Sequence, residues 1–410
     1  MAKHLSETEL DERYEASFGV QAGYLPRNRA SVTPYNMRLR ERARSWSPPY
    51  SKPIDDFVET IETHPVLRMY INRMIDECPP EHRTVESEGD LVDHLRVITR
   101  TAPEWVAEKD KQHFFPMSTL FTYFMMTPSG EALFRDGIFN DALRPILREW
   151  CDYLDSKEST WVINRKDGWL SQSAWEQLGL NEFVIPDPDA EDGGFASYNA
   201  FFHREIKLDE RKLQGGGDSK VIVAPNDGIV YRTAGDVQLR TEFWIKQQPY
   251  SLVDLLCGRW LDRFENGHVF QSFLQGKDYH RWHAPVAGKV VAADVIDGLM
   301  FSNLESEGNA IEGIRCQGYY TAVNTRGVLA IESDDSGIGL VVVVPVGITE
   351  VSSVRYSVSV GDHVEKGQEI GYFSYGGSSL AIVFEPKAIS RFTEFHDNRI
   401  ACRQQIAQAG

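Results

Sequence analysis

The hydrophobic period of the chain changes near residue 165, and that switch constrains the fold more than any other feature. Up to about residue 160, apolar residues return with helical spacing. Ile54, Phe57, Val58 and Ile61 stand at i, i+3, i+4 and i+7 behind Ser51-Lys52-Pro53, which reads as a cap with a first-turn proline. Leu67, Tyr70, Ile71, Met74 and Ile75 repeat the pattern until Pro79-Pro80 stops it. Further apolar faces lie at Leu91, Leu95 and Ile98, and at Phe139, Leu143, Ile146 and Trp150. Beyond residue 165, short β-branched runs are broken by Gly, Asp and Asn, as in VIVAPNDGIVYR, HAPVAGKVVAADV and GIGLVVVVPVGI. At 410 residues the chain exceeds one ordinary core. The expectation is an α+β protein in three parts. Residues 1–45 form a charged, loosely ordered arm, 46–164 a helical domain, and 165–410 a β-rich domain with many hairpins.

With 60 acidic against 43 basic residues the formal charge is −17. That is the wrong sign for a nucleic-acid partner or for electrostatic adhesion to anionic lipid. Cys78, Cys151, Cys257, Cys316 and Cys402 are odd in number, scattered and never spaced CxxC. They argue against a disulfide framework and a cysteine zinc site. The opening MAKHLSETELDERYEAS has no apolar signal-peptide core, and no stretch reaches the ~18–20 apolar residues of a spanning helix. The expectation is a cytoplasmic location without membrane attachment.

Four segments carry groups able to do chemistry. Asp227 lies in the turn APNDGIV, where an Asp before Gly ordinarily bonds its own backbone. A copy of that segment at 284–290, APVAGKV, has Ala287 at the equivalent position, so the turn itself does not need a carboxylate. Tyr279-His280-Arg281-Trp282-His283 sets two histidines three apart, on one side of a helix or on opposite faces of a strand. No third ligand nearby points to a metal, which leaves proton transfer or a structural role. His94 and His113 are isolated and read as structural. Gly376-Gly377-Ser378-Ser379 is clamped between Tyr375 and the apolar run from Leu380 to Val383, so it reads as a turn inside a sheet. The strip from Phe195 to Glu205 is dense in aromatics and is compatible with core plus rim.

In order, the strings FASYNAFFHRE, PNDG, YHRWH and KGQEIGYFSYGGSS resemble the motifs of the phosphatidylserine decarboxylases, over roughly residues 165–390. The turn from Val360 to Gln368 also resembles the hairpins of biotinyl and lipoyl carriers, although no carrier lysine string is present. One branch is similar over more of the chain: the fungal L-tryptophan decarboxylases of psilocybin biosynthesis. They share the helical first half, a GWLS segment at Gly168 to Ser171, YHRWHAPV, and a TEVS stretch at Thr349 to Ser352. The chain departs from the phospholipid enzymes in reading GGSS where LGST is common.

The resemblance implies a zymogen that cleaves itself between Gly377 and Ser378. The Ser378 hydroxyl attacks the Gly377 carbonyl to give an ester, elimination frees the Gly377 carboxylate and leaves dehydroalanine, and its tautomer is hydrolysed with loss of ammonia to a pyruvoyl cofactor at residue 378. By the same match His283 is the base, Asp227 orients it and stabilises its imidazolium, and His280 reprotonates the product. The two cleaved chains stay associated. The ketone takes an amine as a Schiff base and serves as an electron sink while CO2 leaves. The implied substrate is a free aromatic L-amino acid such as tryptophan. The alternatives are phosphatidylserine, a carrier module, and a pseudoenzyme that never cleaves. The segment from Phe301 to Tyr320 is the candidate substrate loop.

Overall fold

A computed structural model of the chain describes residues 29–108, 112–241, 249–302, 317–350, 353–375, 377–395 and 398–410. The first half is helical, with helices at Arg29–Ser45, Lys52–Thr63, Pro65–Glu77, Glu88–Ile98, Pro116–Phe121, Pro128–Phe134 and Gly137–Leu154. The proline behind Ser51 does open a helix, but Ser51 makes no cap bond and instead donates to Glu149. Asp136 caps the longest helix by accepting from the Phe139 N–H at 3.0 Å. Residues 29–45 are a helix rather than part of an arm. Val32, Asn36, Leu39 and Ala43 give it a buried stripe that the surrounding arginines obscure in the sequence. The first strand begins only at Val221, so the period change near 165 precedes the sheet by a stretch of short helices and turns.

The β-rich half is organised around an antiparallel eight-stranded sheet. Its spatial order is Arg399–Ile400, Gly228–Val237, Gly267–Leu274, Gly377–Phe384, Leu340–Ile348, Arg326–Ser333, Gly288–Ile296 and His363–Val364. Every residue of Leu340–Ile348 is buried, because this sheet is a middle layer. Ala381, Val383, Val342, Val344 and Val346 face the helical half. Leu380, Ile382, Phe384, Val341 and Val343 face a second core shared with two three-stranded sheets. A strand covered on both sides loses the alternation of apolar and polar residues, which is why GIGLVVVVPVGI reads as an unbroken run. Each such aliphatic side chain, fully buried, contributes about 1.5–3 kcal/mol.

The two copies of the Ala-Pro-x-x-Gly segment are paired to each other. Val223 donates to the Pro285 carbonyl and His283 to the Pro225 carbonyl, at 3.2 and 2.7 Å. Each copy also holds a matching turn. Ala224 and Arg403 exchange bonds through Gln404 O and Ala224 O, while Ala284 and Gly367 do so through Gln368 O and Ala284 O. Arg403 and Gly367, equivalent in the two turns, both have left-handed backbone, at φ +70° and +78°. The internal repeat is thus a local two-fold frame, and it ties the His283 backbone to Pro225, two residues before Asp227.

Candidate active site

Gly377 opens the strand Gly377–Phe384 opposite Ile348, and Ser378 lies between Gly347 on one side and Leu274 on the other. The segment 377–379 is therefore the start of a central strand, with the turn before it. Ser378 is fully buried, and among the described residues its Oγ has no hydrogen-bond partner. Leaving a buried hydroxyl unsatisfied costs about 1–3 kcal/mol, so native proteins seldom do it without a use. It shares a sheet face with Leu380 and Ile382, and the missing side chain of Gly347 leaves its neighbour on that side bare. Ser379 is the opposite case. Its Oγ donates to Ser272 O at 3.0 Å and accepts from Gln271 Nε2 at 2.8 Å. Of the two serines, only Ser378 is uncommitted.

The aromatic strip proves to be a clamp on the segment leading into Gly377. Ser197 caps the helix Tyr198–Phe202 through the Ala200 N–H, and Asn199 Oδ1 accepts from the Tyr375 N–H at 3.0 Å. The Tyr375 ring is boxed by Trp150, Tyr198 and Phe202 at centroid distances of 5.3, 5.4 and 5.1 Å. Phe202 stacks on His280 at 3.9 Å. Arg204 lies over Phe183 at 4.0 Å and donates to the Lys277 and Phe201 carbonyls. The helical half enters this box through Trp150.

The strand Gly267–Leu274, which pairs with Ser378 through Leu274, runs on through a short turn into Tyr279, His280 and the strand Arg281–His283. His283 is buried, and its Nδ1 donates to the Gly367 carbonyl at 2.9 Å. A carbonyl can only accept, so in the neutral ring Nε2 is the acceptor, and it takes the Tyr279 O–H at 2.9 Å. Burial holds the ring below its ordinary pKa, with the Gly367 carbonyl and Glu369 opposing. A neutral imidazole with its lone pair on Nε2 is the form a general base needs, and here Tyr279 occupies that lone pair.

Asp227 does not touch His283, so the bond expected to fix the tautomer is made by Gly367 instead. Asp227 takes Arg211 Nε at 2.9 and 3.1 Å, Arg211 Nη2 at 2.6 Å, and the Cys402 N–H at 2.7 Å. Arg211 also binds Glu182 at 2.7 Å. A guanidinium this well matched competes strongly for a carboxylate. His280 is fully buried, and among the described residues neither ring nitrogen has a hydrogen-bond partner. Burial and the nearby Arg204 push it down to about 3, while backbone groups of Gln275 and Gly276 pull the other way without reaching hydrogen-bond geometry. It is a neutral ring at physiological pH.

Asp227 precedes the strand Gly228–Val237, and His280 and His283 follow the strand Gly267–Leu274 that pairs with Ser378. Among the described residues no hydrogen bond joins Ser378 to any of them. An open polar cleft of about 520 Å³ is lined by Arg211, Asp227, Asp278 and Tyr279 among others. Sequence reasoning missed Gly367, Arg211 and Asn199 as parts of the site. Gly367 sits in the turn that was read for its likeness to carriers, and Asn199 in the strip that was read as core. Arg211 had no local signal. The candidate substrate loop falls mostly on residues 303–316, outside those described. At its end, Tyr319 accepts from Arg135 Nε at 3.2 Å, and Tyr320 is buried.

Comparison with known proteins gives a consistent answer. The family model for phosphatidylserine decarboxylase matches residues 198–408, and a second model of that description matches residues 51–178. Decarboxylase iboD of Amanita muscaria is 35% identical over 301 residues, 68% of this chain and 86% of the relative. The L-tryptophan decarboxylase of Psilocybe cubensis is 28% identical over 373 residues, 84% of this chain and 83% of that one. A phosphatidylserine decarboxylase proenzyme from Chlamydia muridarum is 34% identical over 206 residues, 48% of this chain and 62% of the relative.

Proposed function

We propose, for a chain that belongs to the phosphatidylserine decarboxylase family and is a carboxy-lyase, that it cuts itself between Gly377 and Ser378 and then decarboxylates a free aromatic L-amino acid resembling tryptophan. The observation that carries the reading is the buried Ser378 Oγ without a partner, at the head of a central strand and beside a bare Gly347. Ser378 is the nucleophile toward the Gly377 carbonyl. His283 Nε2 accepts its proton once Tyr279 yields the position, and Gly367 holds the ring. Asp227 acts on the imidazolium by charge rather than by contact. Glycine before the serine leaves the attacked carbonyl uncrowded.

The residues fit a pyruvoyl group at position 378. At that position the group would stand between Leu274 and Gly347 on the neighbouring strands, the second of which carries no side chain. When formed, that ketone supplies an electrophile for a substrate amine and an acceptor for the electrons released with CO2. His280, neutral and unpaired, is the group proposed to carry a proton to the product carbon. In this reading the Val360 to Gln368 turn keeps its likeness to carrier hairpins but serves His283 through Gly367. Among the described residues no helix is long and apolar enough to cross a membrane. We place the enzyme in the cytoplasm, its two cleaved chains associated. The competing substrate is phosphatidylserine.

The test is the intact mass of denatured wild-type protein beside Ser378→Ala. Two species ending at Gly377 and beginning at a pyruvoyl residue are expected for the wild type, and one full-length species for the variant. A cut at the same bond in Ser378→Ala would remove the mechanism. Release of CO2 from tryptophan, against phosphatidylserine in vesicles, separates the substrates.

A further inference from the structure

The helix Arg29–Ser45 turns one face to a cavity of about 270 Å³ that has no part in the chemistry proposed above. Tyr35, Arg38, Leu39 and Arg42 stand at i, i+3, i+4 and i+7, so all four reach the same wall. The rest of the wall comes from the end of the helix Glu88–Ile98, from residues between Thr101 and Val106, and from His113 and Pro116. Among the described residues that line it there is none of Ser378, Asp227, His280 and His283. The buried part of the wall is apolar, with Leu39, Ile98, Ala102 and Pro116. The exposed part is charged. Arg42 is paired with Glu104 at 3.2 Å, while Arg38 makes no ion pair among the described residues and lies over the Tyr35 ring at 5.9 Å.

Burial pushes His113 down to about 4, with the Ser31 backbone opposing and Arg38 assisting, so its ring is neutral. Burial, Glu104 and Glu350 raise the Tyr35 pKa, so its hydroxyl stays protonated and able to donate. Two guanidiniums against one carboxylate leave the wall one charge positive, in a chain whose formal charge is −17. A guest that suits this wall has an apolar body and an anionic end for Arg38. The volume limits the body to a small ring system, since drug-sized ligands take about 300–1,000 Å³. The Tyr35 and His113 rings, 4.7 Å apart, favour a flat aromatic body. The guanidinium fork favours a carboxylate.

The wall is also joined to the strands around residue 377. Pro116 begins the helix Pro116–Phe121, in which Ser118 donates to Glu350 from N and Oγ at 2.8 Å. Glu350 follows the strand Leu340–Ile348, whose last residue pairs with Gly377. Phe115, next to the lining residue Pro116, packs against Tyr375 with ring centroids 6.1 Å apart. We propose that this cavity is a binding site for a small aromatic carboxylate, separate from the site of cleavage, and that the bound acid steadies the segment 113–118 on which Tyr375 and Glu350 rest. A guest seated against His113 and Pro116 adds contacts to that segment, and local opening becomes rarer as contacts are gained.

The test is calorimetric titration of the wild-type chain and of Ser378→Ala with indole-3-propionate. This acid has no amine and forms no Schiff base with a ketone, so its binding is independent of the pyruvoyl reading. Both proteins should bind it. Arg38→Gln, at an exposed position that leaves the fold intact, should bind it about tenfold or more weakly. Tryptamine, with the same ring system and an ammonium in place of the carboxylate, should not bind Ser378→Ala. Absence of binding, equal binding by Arg38→Gln, or equal binding of tryptamine would each overturn the site. Hydrogen exchange of the backbone amides between His113 and Ser118 should slow when indole-3-propionate is added to the wild type, and should not slow in Arg38→Gln at the same concentration. Exchange that the acid leaves unchanged in the wild type refutes the steadying of the segment.

Discussion

The segments 224–230 and 284–290 share a fold, exchange backbone hydrogen bonds and each grip an equivalent turn, at 401–404 and 365–368. Their side chains differ where chemistry is concerned. The first copy has Asp227, held by Arg211, where the second has Ala287. The second has His283 where the first has Val223, and Gly367 where the first has Arg403. The frame tolerates either choice at every one of these places. What distinguishes them is which side chain needs a partner. His283 needs an acceptor for Nδ1–H, and Gly367 O provides it.

The most damaging change to that asymmetry is removal of the base. His283→Ala should leave a folded chain that cleaves about 10²–10⁴ times more slowly, read by intact mass against time. Because burial holds the His283 pKa below its ordinary value of 6.5, the wild-type cleavage rate should be flat at and above neutrality. It should fall only as pH drops through the lowered pKa, where the ring takes a proton and ceases to be a base. A rate centred on 6.5 or higher would mean that another group is titrating.

A smaller effect is expected at the turn. A Cβ on Gly367 would stand 2.9 Å from Arg403 Nε and 3.0 Å from Leu213 Cδ1, on backbone already at φ +78°. Gly367→Ala should therefore cost about 1–3 kcal/mol of stability. It should also slow cleavage, because the carbonyl that orients His283 moves with the strained residue. Thermal melting and the mass assay separate the two. Slower cleavage without a lower melting temperature would show the carbonyl's role most directly.

The comparison also explains what could be read from the chain in advance. The helices at Lys52–Thr63 and Gly137–Leu154 and the strands around the repeat announced themselves by period, because each buries one face or two. The helix Arg29–Ser45 did not, since its buried stripe is short and diluted by arginines. Ser378, His283, Asp227 and His280 stood out only jointly, through a resemblance. Their actual partners were invisible for a different reason. Gly367 acts by a backbone carbonyl, and Tyr279 by a hydroxyl four residues from its acceptor. Arg211 reaches Asp227 only after folding.

The mildest change is the one that makes the two copies alike. Ala287→Asp puts a carboxylate at the position equivalent to Asp227, in a half-buried turn whose carbonyl accepts from the Asp334 N–H. No arginine is paired with that position, so the new acid should point to water and cost under about 0.5 kcal/mol. Cleavage should continue at the wild-type rate. Pairing it with Asp227→Ala makes the test sharper. If Asp227 works by its place beside Arg211 and Cys402, a carboxylate at 287 cannot replace it and the double variant should cleave as slowly as Asp227→Ala alone. Recovery of cleavage in the double variant would mean that negative charge anywhere in the frame suffices. The Arg211 pairing would then be a matter of stability, with no part in placing the charge that acts on His283.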